Sequence, residues 1–322
     1  MAKVTSRDVA AAAGVSQNTV SLVARDSPRI RPETKLRVRA AMERLGYHRN
    51  ALAAALRSST TKALLFAARE QVIHHHVTSE LLAGAIEAAS AHGYSLLVSA
   101  VGARGTEAAA DLYHGRWVGG AVVFATCSDD PIVAGLSAAG CPTVSLVQPS
   151  DVADVVRADD FGGGRAAALH LLARGRRPVG VVAAPSERSA LGRDRVAGAQ
   201  DAAGEVPLYV QIAADWTVEA GRQAAQALLL QRPRPAGIFA VSDRLAYGVL
   251  AAAAAAGLNV PGDLAVVGFD NTEWSRYCTP PLTTVDFPLR AVGRLGVERL
   301  LAPADSPRVG PVPTELIIRE SA

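Results

Sequence analysis

Three consecutive histidines, His74, His75 and His76, are the densest group of potential metal ligands in this sequence. Adjacent side chains rarely converge on one ion, and no acidic or cysteine partner lies nearby at ligand spacing. The alternatives are a pH-sensing group, a contact of His75 or His76 with a bound ligand, and a plain surface loop, of which the spacing favours the loop. We therefore predict no metal site.

Cysteine, glycine and serine patterns also fail to indicate catalytic chemistry. The three cysteines, Cys127, Cys141 and Cys278, are odd in number and far apart, so neither a disulfide framework nor a CxxC metal pair is expected, and a reducing compartment fits best. The glycine run at 162–164 lacks the spacing of a phosphate-binding loop. No motif in the sequence indicates a Ser-His-Asp catalytic triad. We expect no cofactor and no enzymatic activity.

Basic side chains concentrate at the N-terminus. The chain has 322 residues, with 33 Lys and Arg against 30 Asp and Glu, a net charge of +3. Residues 1–62 hold twelve of the basic and four of the acidic side chains, a net charge of +8, which leaves −5 for the rest. Such a local excess suits a polyanion, and a solvated basic face is the alternative.

Short helical patterns follow one another in this basic segment. After Ser6, which can cap a first helix, apolar residues recur at helical spacing. Gly-Val-Ser at 14–16 then supplies a turn and a new N-cap for a second helix, and a third helix is predicted from Pro32 to Gly46. Two short helices joined through a glycine turn are typical of a helix-turn-helix.

The second helix leaves a polar face for a partner. Its two valines face the first helix, so Gln17 and Asn18 remain outside, where their amides can pair bidentately with adenine in the major groove. The hydroxyls of Ser16, Thr19 and Ser21 can reach phosphates or bases. The alternative is a helical interaction module that never meets nucleic acid.

A short helix and a polar linker follow at 50–57 and 58–61. The helix has about two turns, fewer than the ~12–15 residues at which an isolated helix becomes marginal. It should therefore order only against something else, and a DNA minor groove together with a twin helix would serve.

From residue 63 onward, strand patterns alternate with helical patterns. The predicted strands are 63–68, 94–100, 120–124, 143–147, 178–183, 208–212, 237–241 and 264–269, and the clearest helices are 79–92, 164–174 and 244–256. This rhythm predicts a bilobed α/β domain with two parallel doubly wound sheets. A ligand should bind at the carboxyl ends of the strands, in the crevice between the lobes.

Ordered motifs run along nearly the whole chain. They include VTSRDVA at 4–10, AGVS at 13–16, NALA at 50–53, RDRVAG at 193–198 and VVGFDN at 266–271. In this order they resemble the LacI/GalR family of transcriptional repressors. The resemblance implies a small all-α helix-turn-helix domain at 1–48, a hinge helix and linker at 49–61, and a bilobed α/β effector-binding and dimerisation domain at 62–322. It divides the last domain into lobe 1, about 62–157 and 283–305, and lobe 2, about 158–282 and 306–322.

By the same resemblance, eleven residues contact DNA: Thr5, Ser16, Gln17, Asn18, Thr19, Ser21, Leu22, Arg25, Asn50, Leu56 and Arg57. Gln17, Asn18 and Leu22 take the main base-reading positions. Leu56 is the apolar wedge that two hinge helices insert into the minor groove, with Arg57 near the groove wall, and packing within the module is its alternative role. Many relatives carry Arg at Leu22 and Asn at Arg25, and because Leu22 can at best contact a thymine methyl, the resemblance leaves the operator sequence open.

The resemblance further implies an effector site at Arg195, Trp216, Ser242 and Asp270, to which the histidine triplet adds His75 and His76. Arg195 and Asp270 can clamp hydroxyls with charge-assisted hydrogen bonds, and the Trp216 indole offers a flat face to a sugar ring. Ordinary packing for Trp216 and loop capping for Asp270 are the alternatives. The first-lobe loop lacks the family's usual aromatic, and Val147 stands where some sugar-binding relatives carry Asp.

Together these patterns predict a sequence-specific DNA-binding repressor whose operator affinity is controlled by a sugar-like small-molecule effector. A homodimer would match a pseudo-palindromic operator. The start lacks a signal-like apolar stretch, and no uncharged apolar run reaches ~20 residues, so we expect no membrane partner and a cytoplasmic, nucleoid-associated protein. The alternative is a cytoplasmic solute-binding or enzymatic α/β protein whose basic module serves another partner.

Overall fold

The computed structural model describes residues 4–24, 26–47, 61–73, 76–102, 105–185 and 189–322. The chain divides into two compact units, with the division between Thr61 and Lys62. The two units have separate apolar cores. Among the described residues, none of the helices is both long enough and apolar enough to cross a bilayer.

Three helices form the N-terminal unit: α1 (Ser6–Ala13), α2 (Gln17–Val23) and α3 (Pro32–Arg44). Their buried apolar side chains meet in one small core, made by Val9, Ala10, Ala13, Val20, Val23, Val38 and Ala41. The helix-turn-helix and the third helix predicted from the sequence are therefore confirmed.

Side-chain caps fix the ends of α1 and α2. The N-cap of α1 is Thr5 and not Ser6, because the Asp8 carboxylate accepts hydrogen bonds from the Thr5 N–H (2.8 Å) and hydroxyl (2.7 Å). These bonds hold the pKa of Asp8 below its usual value. Gly14 ends α1 at a φ of 62°, which favours glycine, and the Ser16 hydroxyl then caps α2.

A five-stranded parallel sheet of order β2-β1-β3-β4-β5 forms the first lobe of the C-terminal unit. The strands are β1 (Ala63–Arg69), β2 (Ser95–Val101), β3 (Ala121–Phe124), β4 (Thr143–Leu146) and β5 (Asp154–Val156). The helices are α4 (His76–Ala91), α5 (Gly105–His114) and α6 (Pro131–Ala138). Leu64 and Leu65 of β1 belong to different core clusters, because successive strand residues point to opposite covered faces.

A six-stranded sheet of order β11-β10-β9-β8-β6-β7 forms the second lobe. Its strands are β6 (Val179–Ala183), β7 (Leu208–Ile212), β8 (Gly237–Ala240), β9 (Ala265–Asp270), β10 (Thr283–Asp286) and β11 (Glu315–Ile317). The helices α7 (Asp160–Ala173) and α8 (Ala190–Ala203) pack together, and so do α9 (Val218–Leu229) and α10 (Asp243–Ala255).

The predicted bilobed α/β architecture is confirmed, and each predicted strand begins and ends within one residue of the observed one. Two expectations were wrong. The second sheet is not wholly parallel, because the edge strand β11 runs antiparallel to β10. Residues 283–286 belong to the second sheet rather than to lobe 1, because β10 pairs with β9, and the chain returns to the first lobe only with α11 (Leu289–Leu301), which packs on α4.

Glycines bring α7 and α8 into backbone contact. A Cβ atom on Gly164 would lie 2.0 Å from the carbonyl oxygen of Arg195, and a Cβ atom on Gly198 would lie 2.0 Å from the carbonyl oxygen of Phe161. No larger residue fits at either position without moving the backbone. This close approach places the side chain of Arg195 within reach of Asp160, the first residue of α7.

Candidate functional site

A cavity of about 770 Å³ lies between the two lobes of the C-terminal unit. Its walls include Arg69 at the end of β1, Thr126 beyond β3, Ser242 beyond β8 and Asp270 at the end of β9. The strand order reverses beside this cavity in each sheet, between β1 and β3 in the first lobe and between β6 and β8 in the second. Open α/β sheets typically bind ligands at such points. Ligand pockets typically measure about 300–1,000 Å³.

Four of the six residues predicted for the effector site line this cavity: Arg195, Trp216, Ser242 and Asp270. His76 does not line it. This histidine begins α4 and lines a second cavity of about 400 Å³, which shares Asp270 with the first. His75 lies outside the described residues. Among the described residues there is no group of three or more His, Cys, Asp or Glu side chains that could hold a metal ion.

Arg195 is the central buried group of the cavity wall, with its side chain 2% exposed. Its Nε donates to Asp160 Oδ1 (2.8 Å), and its Nη1 donates to the carbonyl of Val241 (2.7 Å) and to Asp270 Oδ1 (3.3 Å). The guanidinium lies over the Phe269 ring, with 3.6 Å between Cζ and the ring centroid. The buried Nη2 has no hydrogen-bond partner among the described residues.

Burial disfavours the ionised form of the carboxyl groups around Arg195. Burial raises the pKa of Asp270 to about 7, although the positive charge of Arg195 opposes the rise and the nearby Asp243 adds to it. Burial also raises the pKa of Asp160, again against the effect of Arg195. The Asp270 carboxyl therefore exchanges its proton near neutral pH, so it can accept or donate a hydrogen bond.

Asp270 and Asn271 form a turn with φ values of 114° and 52°, conformations that residues other than glycine rarely adopt. The Asp270 side chain contacts Arg195, so its hydrogen bond serves the cavity and not the following loop. Asn271 bonds to a second network, in which its Nδ2 donates to Asp286 Oδ1 (2.7 Å) and its Oδ1 accepts from Arg319 Nη2 (2.6 Å). Adjacent residues thus anchor two separate networks.

The sequence reasoning missed Gln148, a buried amide just beyond β4. Its Nε2 donates to the Ser189 hydroxyl (3.0 Å), and its Oε1 accepts from the N–H of Ala190 (2.9 Å), at the start of α8. Gln148 therefore joins the first lobe to the helix that carries Arg195. Its position directly after a buried parallel strand was the one sequence signal that could have identified it.

The predicted DNA-contacting residues of α2 lie at the surface of the N-terminal unit. Ser16, Gln17 and Asn18 are exposed, whereas Thr19, Ser21 and Leu22 are half-buried. The exposed Thr5 caps α1. Gln17 Nε2 donates to the Ser6 hydroxyl (2.7 Å), which ties the first turn of α2 to α1. The remaining predicted contacts lie outside the described residues: Arg25, Asn50, Leu56 and Arg57.

A helix-turn-helix unit followed by a two-lobed unit with a ligand cavity defines the class of ligand-controlled DNA-binding regulators. Residues 5–50 match the bacterial regulatory proteins of the lacI family, and residues 168–322 match the periplasmic binding protein-like domain. The chain is 32% identical to the HTH-type transcriptional regulator CelR of Thermobifida fusca, over 97% of this chain and 96% of that protein. It is 31% identical to the HTH-type transcriptional repressor PurR of Escherichia coli O1:K1 / APEC, over 92% of this chain and 89% of that protein. The chain belongs to the LacI family of bacterial regulatory proteins.

Solved structures give the same assignment. The lac repressor dimer bound to operator and the anti-inducer ONPF is similar with a TM-score of 0.88, 28% identity and 99% of each chain covered. The CelR–cellobiose complex is similar with a TM-score of 0.72 and 27% identity, covering 99% of this chain and 100% of that one. This chain is a DNA-binding transcriptional regulator controlled by a small-molecule effector, and the relatives named here are regulators rather than enzymes.

Proposed function

We propose that the chain is a repressor that binds a pseudo-palindromic operator as a homodimer and responds to a sugar or related metabolite. The observation that carries the effector part is that Arg195, Trp216, Ser242 and Asp270 come together in the wall of one cavity. Cellobiose is the ligand of the similar CelR complex, which supports a hydroxyl-rich ligand here. We propose no catalytic activity and no membrane partner, with action in the cytoplasm, at the nucleoid.

The four clustered side chains suit a hydroxylated ring. Arg195 and Asp270 offer a charge-assisted donor and a carboxyl group, and the half-buried Trp216 offers a flat apolar face to C–H groups. Ser242 caps α10 by accepting the N–H of Leu245 (3.3 Å), which leaves its own hydroxyl proton for a ligand oxygen.

The N-terminal unit would place α2 in the major groove. Gln17 and Asn18 stand exposed on its first turn, where base-reading side chains of a recognition helix lie. We propose that the remaining contacts come from the other residues assigned by the sequence: Thr5, Ser16, Thr19, Ser21, Leu22 and Arg25 around the groove, and Asn50, Leu56 and Arg57 from the hinge. Two such units on one dimer would account for a two-fold symmetric operator.

Exposed apolar side chains on the C-terminal unit support a second copy of this chain as partner. Leu97 and Val98 are exposed on β2, which is an edge strand. Trp274 and Tyr277 are 72% and 69% exposed, in and just after a 3₁₀ helix (Glu273–Arg276). An exposed edge strand and exposed aromatic side chains are features that a partner chain can cover. The similar lac repressor structure is a dimer.

Selection from a library of randomised DNA duplexes tests the DNA part of this proposal. We expect the full-length protein to enrich one palindromic site and to bind it with an affinity that falls steeply as salt concentration rises. Enrichment of no sequence, or of a single asymmetric site by a monomer, would contradict the proposal. A panel of neutral and acidic sugars, added to the complex with the selected site, then tests for effector control.

Replacing Asn18 with alanine is expected to weaken binding to the selected operator by about 1–3 kcal/mol, which is about 5-fold to 150-fold, because a bidentate base contact is lost. Fluorescence anisotropy with labelled operator measures the affinity. Gln231→Ala, which removes an exposed amide from the C-terminal unit, is the matched control and should leave affinity unchanged. Equal affinities of Asn18→Ala and wild type would remove this residue from the DNA contacts.

Replacing Asp270 with alanine is expected to abolish the effect of the effector on operator affinity while the protein without effector still binds DNA. The physical reason is that the ligand must interact differently with two states of the protein to shift them, and Asp270 is its proposed partner. Anisotropy titrations with and without the panel member that acts on wild type measure both quantities. A wild-type response in the variant would exclude Asp270 from the site.

A further inference from the structure

Three arginines from both lobes line the cavity. Arg69 ends β1 in the first lobe, whereas Arg195 comes from α8 and Arg244 from the first turn of α10 in the second lobe. Among the described residues of the cavity wall, Asp270 is the only carboxylate. Each guanidinium carries five N–H donors and no acceptor, so this wall is rich in positively charged donors.

The carboxylates that pair with Arg69 and Arg195 do not themselves line the cavity. Asp130 is fully buried, and it accepts hydrogen bonds from the N–H groups of Thr126 (3.0 Å) and Ile132 (3.0 Å) as well as from Arg69 Nε (3.3 Å). Asp160 lies behind Arg195 at the start of α7 and is 3% exposed. The carboxylates that pair with Arg69 and Arg195 are therefore held inside the lobes, behind the cavity wall.

Asp270 does little to neutralise this wall. Burial raises its pKa to about 7, so a substantial fraction of the carboxyl is protonated at neutral pH. The groups that act on it are Arg195, which favours the ionised form, and Asp243 and Asp160, which disfavour it. As Asp270 takes up its proton, the cavity wall becomes more positive.

We infer that the effector carries an anionic group, a carboxylate or a phosphate ester, bound by the guanidinium groups of Arg69, Arg195 and Arg244. This inference rests on the proposed function, because it names the ligand class of the same cavity. The planar fork of a guanidinium matches both anions with paired hydrogen bonds.

The positions of the arginines give the anion a role in lobe closure. Arg69 belongs to the first lobe, and Arg195 and Arg244 belong to the second, so an anion bound by them is attracted from both lobes. It therefore binds more tightly to a closed arrangement than to an open one, which is the condition for an effector to shift the population.

Calorimetric titration of the full-length protein tests the ligand class directly. The probes are glucose with gluconate and glucose 6-phosphate, and cellobiose with cellobionate, at pH 7 and low salt. We expect at least one acidic member to bind more than tenfold more tightly than its neutral parent. The gluconate and phosphate arms then distinguish a carboxylate from a phosphate. Equal or tighter binding of the neutral parents overturns the inference, and so does the absence of binding by every acidic probe.

Substitutions test whether the arginines recognise the anion. Arg69→Gln and Arg244→Gln are each expected to weaken binding of the acidic probe about tenfold or more and to leave a neutral probe unchanged, whereas Arg69→Lys, which keeps the charge, should retain part of the affinity. Arg222→Gln is the matched control, because Arg222 is on α9 and pairs with Glu219 of the same helix. Unchanged affinity in both cavity variants overturns the inference. A neutral sugar that controls operator binding through Asp270 would overturn it too, yet would leave the proposed function standing.

Discussion

Replacing Arg195 with leucine is expected to lower the free energy of unfolding of the C-terminal unit by about 3–5 kcal/mol, the usual loss when one partner of a buried ion pair is removed. Asp160 and Asp270 would stay buried without their cation, and the Val241 carbonyl would lose its donor. The Phe269 ring would also lose the guanidinium that covers it. Urea unfolding followed by circular dichroism at pH 7 measures the loss.

Two further variants separate this effect from a general loss of an arginine. Arg222→Leu removes a surface ion pair, with side chains 36% and 58% exposed, and should change stability by less than about 1 kcal/mol. The double variant Arg195→Leu with Asp160→Asn should recover part of the loss, because no isolated charge then remains at Asp160. A loss below about 1 kcal/mol for Arg195→Leu alone would show that the ion pair does not hold α7 and α8 together.

Replacing Asp270 with asparagine is expected to flatten the dependence of stability on pH. The pKa of Asp270 is raised from 3.8 to about 7 in the folded protein, so between about pH 4 and pH 7 the folded state keeps a proton that the unfolded state releases. Wild-type stability must therefore fall as pH rises through this window, with a slope of at most about 1.4 kcal/mol per pH unit from this group. Asparagine has no such proton, and unfolding curves at several pH values measure the difference.

Some slope should remain in Asp270→Asn, because burial also raises the pKa of Asp243, to about 6, and the pKa of Asp160. The exposed Asp305, in the connection between α11 and β11, provides the matched control, and Asp305→Asn should keep the full wild-type slope. If Asp270→Asn titrates like wild type, the carboxyl of Asp270 is ionised throughout this range.

The sequence allowed most of the fold to be predicted, because buried parallel strands are continuous apolar runs separated by helical periodicity. β6 and β9 are of this kind, and they were placed within one residue. β5, β10 and β11 were not predicted. β5 and β11 have only three residues each, too few for a recognisable pattern. β10 begins with two buried threonines, so it is not a continuous apolar run.

For the effector cavity, the sequence predicted which residues take part but not the contacts between them. Motif order brought Arg195 and Asp270 together, although they are 75 residues apart. Motif order did not indicate that close packing of α7 and α8 at glycines would bring Arg195 into hydrogen-bond distance of Asp160. It also did not indicate that Gln148 of the first lobe would accept a hydrogen bond from the start of α8. Such contacts depend on how elements pack, which local periodicity does not encode. His76 lines the second cavity and not the first, so its contact with an effector stays a prediction.

The turn at Asp270 and Asn271 links the cavity wall to the exposed 3₁₀ helix (Glu273–Arg276) of the second lobe. Thr272 is the next residue, held by the Asp243 carboxylate through its N–H (2.7 Å) and its hydroxyl (3.0 Å), and the exposed Trp274 follows within the same short segment. A rotation of the peptide at Asp270 must either distort the hydrogen bonds of Thr272 to Asp243 or move the segment that carries Trp274. In the homodimer that we propose, a change at this turn would therefore alter the effector cavity and the surface that carries Trp274 together.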